Sequence, residues 1–283
     1  MNADFSSCGL AVTRIAGALG AEVRGLDLRE PLDDARMAGI RRAWLEHLVL
    51  FFPDQPLDPD QFMAFAERLG RPVEYPFVAG LPDHPRIIEV KKLEHERTNF
   101  GGVWHSDTTY LERPPMASML IAREVPPYGG DTLFANMYLA YETLSDGLRR
   151  TLDGLRAVAS SSKADVSRTR EDLVRASGRD DARPAYEAVH PVVRTHPETG
   201  RRALFVNVAH TVRFEGWTEE ESAPLLDVLT RHLVRPEFGC RYAWRPNAIA
   251  LWDNRCTQHN PVNDYHGFRR VMHRITLEGD RPA

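Results

Sequence analysis

The stretch AIALWDNRCTQHNPVNDYHGFRRVMHRITL, residues 248–277, predicts two β-strands joined by a polar connection. The first strand is expected at 248–252 and the second at 269–277. Side chains two positions apart in a strand point to the same face, so Arg270 and Arg274 share one face of the second strand. Arginines inside a barrel need anions as partners, and their geometry suits a carboxylate or a sulfonate. The alternative is an edge strand with both arginines in water.

Histidine and aspartate side chains with the spacing of metal ligands occur in two segments. The segment VWHSDTTY, residues 103–110, contains His105 and Asp107, which would leave the same face of a strand. An imidazole and a carboxylate together suit a first-row divalent metal. His259 follows the first of the two C-terminal strands and precedes the turn signal Asn260–Pro261. The His-x-Asp pair alone is weak support, because histidine beside a solvated aspartate is common on protein surfaces.

The remaining sequence alternates short strand patterns with a few helical ones. Helical spacing is found at residues 33–46, 58–69, 138–155 and 218–233. Further strands are predicted at residues 10–15, 21–28, 47–52, 86–90, 117–123, 131–134, 189–195 and 202–206. Many strands with helices outside them are typical of a sheet sandwich or a jelly roll. We therefore predict an α+β, mainly β fold decorated by helices.

Length and composition indicate an ordinary globular protein. The chain has 283 residues, of which 42% are hydrophobic and 27% are charged. No linker divides it, so residues 1–283 are predicted to form a single domain. The polar stretch 159–184 contains few apolar residues, which favours either a mobile lid or a solvated loop.

The charge and the apolar runs argue against several classes of protein. The net charge of −4 argues against nucleic-acid binding, which needs a basic surface. The longest apolar run, 48–52, is far shorter than the roughly 20 residues of a membrane helix. The N-terminal residues lack the pattern of a signal peptide, and the three cysteines form no metal-ligand cluster. We expect a cytoplasmic protein without a membrane or nucleic-acid partner.

Four blocks of sequence, taken together, resemble the taurine dioxygenase/phenoxyacetate dioxygenase family of iron(II)- and 2-oxoglutarate-dependent oxygenases. The blocks are WHSDTTY (104–110), PPMASMLIA (114–122), GGDTLFANMY (129–138) and WDNRCTQH (252–259) followed by FRRVMHRITLEGD (268–280). The resemblance extends from about Leu10 to the C-terminus. It implies a double-stranded β-helix, that is, a jelly roll with a metal at its open end.

The resemblance also implies roles for individual side chains. Iron(II) would be held by His105, Asp107 and His259, which leaves three positions open for the co-substrate and O2. The hydroxyl of Thr132 and the guanidinium of Arg270 would hold 2-oxoglutarate. The family couples the conversion of 2-oxoglutarate to succinate and CO2 with hydroxylation of a substrate, and the lid candidate would exclude water from that reaction.

The sequence departs from taurine dioxygenases at the residues that recognise the substrate. Arg274 matches the arginine that anchors the acidic group of the substrate. Tyr75 stands in place of a histidine that touches the sulfonate, and Val78 in place of a tyrosine that meets the amine. Ala209 replaces an aromatic pocket residue and has His210 beside it. Tyr75 and His210 are therefore further candidates for substrate binding, and we expect a small acidic substrate (a sulfonate, sulfate ester or carboxylate) other than taurine.

Two other functions use the same residues. A mononuclear zinc hydrolase also employs three protein ligands and a water molecule. It has no need for the pair of Thr132 and Arg270, which suits a dicarboxylate. A jelly-roll module that binds a ligand without catalysis is the other alternative. The family resemblance further suggests a homo-oligomer, either a dimer or a tetramer.

Overall fold

The fold is mainly β, with sixteen strands and five α-helices in a computed structural model that describes residues 5–163 and 186–283. The helices are α1 (Asp34–His47), α2 (Pro59–Leu69), α3 (Met137–Glu142), α4 (Asp146–Leu152) and α5 (Glu219–Leu233). The strands are β1 (Ala11–Arg14), β2 (Ala21–Arg24), β3 (Val49–Phe52), β4 (Pro72–Val73), β5 (Ile88–Lys92), β6 (Ala117–Glu124), β7 (Thr132–Asn136), β8 (Arg156–Ser160), β9 (Glu187–Pro191), β10 (Val193–Thr195), β11 (Arg202–Leu204), β12 (Thr211–Phe214), β13 (Gly239–Tyr242), β14 (Ile249–Asp253), β15 (Thr257–Pro261) and β16 (Arg270–Leu277).

A large sheet forms the base of the molecule, in the order β1-β2-β3-β14-β6-β16-β4, with β5 also paired to β16. β14 is central and antiparallel to both neighbours, so Leu251 lies opposite Leu50 on one side and Met119 on the other. β16 pairs with β6 along one edge and with β5 and β4 along the other. Both edges of β16 are therefore paired, and seven of its eight residues are buried.

The two faces of the large sheet pack against different layers because strand side chains alternate. Leu50, Met119 and Ile275 point to α1 and α2, whose buried faces include Trp44 and Phe62. The opposite face packs on a small sheet of order β13-β7-β15 and on the segments around it. This arrangement confirms the predicted jelly-roll core decorated by helices.

Aromatic contacts join the large sheet to the small one. Phe51 of β3 stacks on Tyr242 of β13 with ring centroids 3.8 Å apart, and its edge meets Phe134 of β7. Phe134 also contacts Trp252 of β14. Such contacts add to the area buried between the sheets and fix their spacing.

Local sequence sets where three helices begin. Asp33 accepts a hydrogen bond from the backbone of the first turn of α1. Asp58 and Gln61 form a capping box at the start of α2, and Thr218 and Glu221 form another at α5. Each cap satisfies backbone N–H groups that the helix leaves unpaired, and each is worth about 1 kcal/mol.

Several predicted elements need correction. The helix predicted at 138–155 is two helices, because Ser145 has an extended backbone and caps α4. The strand predicted at 189–195 is divided at Val192 into β9 and β10. The strand predicted at 21–28 ends at Arg24, since the next residue is a glycine with φ of +84°.

Five short strands were not predicted, namely β4, β8, β12, β13 and β15. The turn expected at Asn260–Pro261 is the end of β15. A proline fits there because Pro261 is the last residue of β15, and the edge of β15 away from β7 has only a single bridge, at His259, in the described part of the chain.

Residues 164–184 of the lid candidate lie outside the described residues, so the lid stays a prediction. The single domain over residues 1–283, the cytoplasmic location and the oligomeric state also remain predictions. None of the helices in the described part of the chain is long and apolar enough to cross a membrane.

Candidate functional site

Three buried side chains from two distant segments converge between the two sheets. Potential ligand atoms of His105, Asp107 and His259 all lie within 4.8 Å of one another. His105 Nε2 is 3.7 Å from Asp107 Oδ1, and the rings of the two histidines have centroids 4.1 Å apart. The structure thus brings together the three ligands expected from the sequence.

The prediction that His105 and Asp107 lie on a regular strand is wrong. His105 forms an isolated antiparallel bridge with His259, through two N–H to carbonyl hydrogen bonds of 3.0 and 2.8 Å. The chain then turns, because the Ser106 hydroxyl donates to Thr257 O and the backbone at Thr108 has φ of +44°. The turn, rather than the pleat of a strand, aims Asp107 at the two histidines.

A chain of hydrogen bonds fixes the carboxylate of Asp107. Asn254 Oδ1 accepts from the Trp252 indole (3.0 Å) and from Asp107 N (3.3 Å), so its Nδ2 donates to Ser118 Oγ at 2.9 Å. The single proton of Ser118 then goes to Asp107 Oδ2 at 2.5 Å. The other oxygen, Oδ1, accepts from Arg274 Nη1 at 3.2 Å.

These partners keep Asp107 ionised. Burial by itself would raise the pKa of Asp107, but the guanidinium of Arg274, the two imidazoles and the Ser118 hydroxyl together hold it below its ordinary value. Burial lowers the pKa of His105 and that of His259, so both rings are neutral. Neutral imidazoles and an ionised carboxylate are the forms that bind a metal.

His105 has the tautomer that a metal ligand needs. Its Nδ1 lies 2.7 Å from Val103 O and donates to that carbonyl, which leaves the Nε2 lone pair directed towards Asp107. Gly101 borders the ring with φ of +71°, and a Cβ there would come within 3.0 Å of it. The donor set and its surroundings therefore fit a divalent first-row metal.

Arg270 and Arg274 are both buried on the inner face of β16, as predicted, with 5% of each residue exposed. The alternative of an edge strand is wrong because β16 has partners on both sides. In the described part of the chain, Nε and Nη2 of both arginines have no hydrogen-bond partner. Buried donors of this kind require an anion or water as partner.

Thr132 and Arg270 line the same small cleft between the sheets, which also contains His259. The Trp244 indole donates to Thr132 Oγ1 at 2.9 Å, and an indole N–H can only donate. The hydroxyl proton of Thr132 is therefore available to a ligand. Trp244 also lies beside Arg270, with 5.7 Å between the guanidinium carbon and the ring centroid. The cleft offers a carboxylate both a charge and a hydroxyl donor.

A larger cavity of about 460 Å³ opens on the other side of the three ligands. Its wall includes the predicted substrate residues Tyr75, His210 and Arg274, which the structure thus brings together. Arg274 packs on the Tyr75 ring at 4.8 Å from the centroid, and Tyr75 also contacts Tyr110. Burial raises the pKa of Tyr75, so its hydroxyl remains neutral.

The described wall of this cavity carries more positive than negative charge. Its cations are Arg274 and Lys163, and its one carboxylate is Asp107, which already contacts Arg274. Lys163 Nζ donates to Thr211 O at 2.5 Å. The rest of the wall is largely aromatic and aliphatic, including Phe100. The cavity suits an organic anion with an apolar body.

Sequence reasoning missed five residues of the site, namely Thr109, Ser118, Trp244, Lys163 and Asn254. Asn254 and Ser118 stand inside blocks that resemble the family, but no local pattern distinguishes them from structural residues. Lys163 follows a short strand in a polar stretch, where a lysine is normally solvated.

A second buried group, His196, Asp253 and Cys256, has the spacing of metal ligands but is an ion-pair network. His196 Nε2 contacts Asp253 Oδ2 at 3.0 Å, and its Nδ1 accepts two backbone N–H groups. Arg255 donates to both carboxylate oxygens of Asp253. The donor atoms of His196 and Asp253 are therefore already occupied, and the group holds the turn after β14.

Comparison with known proteins identifies the family. Residues 11–276 match the family described as taurine catabolism dioxygenase TauD, TfdA family. The chain is 37% identical over 280 residues to the alpha-ketoglutarate-dependent sulfate ester dioxygenase of Pseudomonas putida, covering 97% of this chain and 91% of that protein.

Solved structures agree. The crystal structure of a taurine dioxygenase from Burkholderia xenovorans has a TM-score of 0.82 at 36% identity, covering 97% of this chain and 91% of that one. AAD-2 in complex with Mn(II) and N-oxalylglycine has a TM-score of 0.78 at 27% identity, covering 96% and 98% of the two chains.

The chain belongs to the TauD/TfdA family and is an alpha-ketoglutarate-dependent dioxygenase. This confirms the resemblance and the enzyme class expected from the sequence. The comparisons favour neither the zinc hydrolase nor the non-catalytic binding module.

The buried histidines predict that acid destabilises the metal-free enzyme. Burial lowers the pKa of five of them, His47, His105, His190, His210 and His259. Their folded-state pKa lies below the unfolded value of about 6.5, so the unfolded chain binds more protons as the pH falls. Between about pH 7.5 and 5.5, the free energy of unfolding should fall by about 1 kcal/mol for each imidazole that stays neutral.

Urea unfolding at several pH values measures this slope. His210→Gln should reduce the slope, and the same substitution at the exposed His95 is the comparison variant. A free energy of unfolding that is constant or rises on acidification would contradict the assignment of neutral buried rings.

Proposed function

We propose that this enzyme oxidises a small acidic organic substrate, with iron(II) held by His105, Asp107 and His259. The observation that carries the proposal is that His105 and Arg274 line both the small cleft and the large cavity. A co-substrate in the cleft and a substrate in the cavity would therefore meet at the three ligands. Holding the substrate close to a reactive cofactor is the main contribution of the protein to such a reaction.

Arg270 and Thr132 would bind the co-substrate. The Arg270 guanidinium can pair with the distal carboxylate of 2-oxoglutarate in the cleft, and the Thr132 hydroxyl can donate a further hydrogen bond. When bound, iron(II) with 2-oxoglutarate and O2 supplies the oxidising power for hydroxylation, and 2-oxoglutarate is converted to succinate and CO2. Phe134 and Trp252 also line the cleft and keep water from it.

Arg274 and its neighbours would anchor the substrate by its anionic group. Nε and Nη2 of Arg274 have no hydrogen-bond partner in the described chain, and Tyr75 and His210 lie in the same wall. The apolar body of the substrate would lie against aromatic residues such as Phe100. The ammonium group of taurine would find no carboxylate in the described wall except Asp107, which supports a substrate other than taurine.

Sulfate esters are the first class to test. The cavity combines an anion site with an apolar wall, and the Pseudomonas putida relative is named as a sulfate ester dioxygenase. Hydroxylation of the carbon next to the ester oxygen would give an unstable product that separates into an aldehyde and sulfate. Aryloxyalkanoates and alkyl sulfonates share the same chemistry of an anion on an apolar body and complete the panel.

Co-substrate binding is tested anaerobically. Addition of iron(II) and then 2-oxoglutarate to the metal-free enzyme should produce the weak visible absorption band of the chelated complex. His105→Ala should abolish the band because a ligand is lost. Arg270→Ala should need at least about tenfold more 2-oxoglutarate, since a buried charge-assisted hydrogen bond is worth about 1.5–3 kcal/mol. Absence of the band in folded, iron-loaded wild type would refute the proposal.

The substrate class is tested by succinate release from a panel of alkyl sulfates, alkyl sulfonates and aryloxyalkanoates. We expect stimulation by an anion with an apolar body, and little by taurine. Arg274→Met should abolish the stimulation, whereas Arg123→Met, on the helix side of the same sheet, should retain it. Equal stimulation by the uncharged parent alcohols would contradict the anion site.

Ser118 is predicted to position the metal-binding carboxylate. Ser118→Ala removes the hydrogen bond to Asp107 Oδ2, so the carboxylate can rotate away from the metal. Loss of such a supporting group typically weakens metal binding about 10–100-fold. Calorimetric titration with Mn(II) measures this, and Ser222→Ala is a matched control because Ser222 is equally buried but remote on α5. Equal affinities in the two variants would show that Ser118 has no such role.

A further inference from the structure

Behind the cavity wall, three buried polar residues form a closed set of hydrogen bonds. Asn207 Oδ1 accepts from the backbone N–H of His210 at 2.9 Å. The Asn207 amide is thereby oriented, and its Nδ2 donates to Thr109 Oγ1 at 3.1 Å. Thr109 Oγ1 in turn lies 2.9 Å from His210 Nδ1. At most 5% of each residue is exposed, so water cannot readily replace these partners.

The position of each proton follows from this set. Among the described residues, Thr109 Oγ1 has no partner other than Asn207 and His210. Since Asn207 donates to it, the hydroxyl proton of Thr109 has one acceptor, His210 Nδ1, and leaving a buried hydroxyl donor unpaired is costly. His210 Nδ1 is therefore unprotonated. A neutral imidazole then carries its proton on Nε2.

The surroundings of the His210 ring fix its orientation. The His210 ring meets the edge of Tyr110 with centroids 4.9 Å apart, which limits its rotation. No described side chain accepts from Nε2, and His210 lines the large cavity.

We propose that Thr109 and Asn207 are positioning residues that hold His210 in the Nε2–H tautomer, so that the cavity presents a fixed neutral donor beside the cation Arg274. The inference rests on the proposed function and deepens it. The substrate group facing His210 must be a hydrogen-bond acceptor, such as an oxygen of a sulfate, sulfonate or carboxylate. An ammonium group at that place would face the N–H of His210 without an acceptor.

In this arrangement Arg274 and His210 have different roles in binding the substrate. Arg274 supplies charge, which attracts any anion, whereas a neutral N–H in one fixed direction selects for the position of an acceptor oxygen. A histidine that is free to exchange tautomers could equally well accept a hydrogen bond from a donor group of the substrate. Thr109 is therefore specificity-determining through His210, without touching the substrate itself.

The tautomer is measured directly by long-range proton–nitrogen NMR of enzyme labelled with 15N-histidine, in the diamagnetic zinc(II)-loaded form. His210→Gln identifies the signals of His210. We expect one protonated nitrogen, Nε2, and one unprotonated nitrogen, Nδ1, at neutral pH. Protonation on Nδ1, or on both nitrogens, at neutral pH would overturn the proposal without any variant of Thr109.

Variants test the role of Thr109. Thr109→Val keeps the shape but removes the hydroxyl, so the His210 signals should shift towards a mixture of tautomers. Thr109→Ser should restore the wild-type signals. Thr98→Val is the matched control, because Thr98 lines the same cavity without a described hydrogen bond to His210. Wild-type signals in Thr109→Val would overturn the positioning role.

Hexyl sulfate is the ligand probe. Its addition to enzyme saturated with zinc(II) and N-oxalylglycine should move the Nε2 signal of His210, and Thr109→Val should weaken its binding about tenfold. An unmoved signal at saturation, or equal affinity in Thr109→Val, would overturn the role in recognition. These readouts need no turnover. A failed succinate assay with the expected tautomer would therefore count against the proposed function alone.

Discussion

The buried contact between Arg274 and Asp107 is the interaction on which the site depends. The guanidinium and the carboxylate both lose their hydration in this position. The attraction between the two charges offsets only part of the free-energy cost of that desolvation. The contact uses one nitrogen of Arg274 and leaves its Nε and Nη2 unpartnered in the described chain. It also keeps Asp107 ionised beside two neutral imidazoles. On the proposed assignment, one ion pair thus prepares a metal site on one side and an anion site on the other.

The two sheets fix the positions of the residues that make this contact. Arg270 is the first residue of β16 and Arg274 lies in its middle, and the strand has hydrogen-bonded neighbours on both edges. Asp107 comes from a turn fixed by side chains of β6 and of the segment after β14, Ser118 and Asn254. Groups held by such rigid elements keep their directions better than groups on free loops. The main contribution of the jelly roll is therefore to hold these side chains in fixed positions.

Sequence patterns predicted the parts of the site that depend on periodicity. The alternation along residues 269–277 placed Arg270 and Arg274 on one face, because the period of a strand is fixed. The turn that aims Asp107 was not predictable, since it depends on a hydrogen bond between Ser106 and Thr257, far apart in sequence. The tautomer of His210 likewise follows from contacts across about 100 residues. Pairings of this kind leave no local signal.

The two arginines of β16 differ in a way that links stability to co-substrate binding. Arg274 has the carboxylate of Asp107 as a partner, whereas no salt bridge to Arg270 occurs in the described chain. Burial lowers the pKa of Arg270, which reflects the cost of holding a charge there. On the proposed assignment, the distal carboxylate of 2-oxoglutarate removes that cost. Any ligand that binds the folded state alone stabilises it, so the enzyme is completed by its co-substrate as well as its metal.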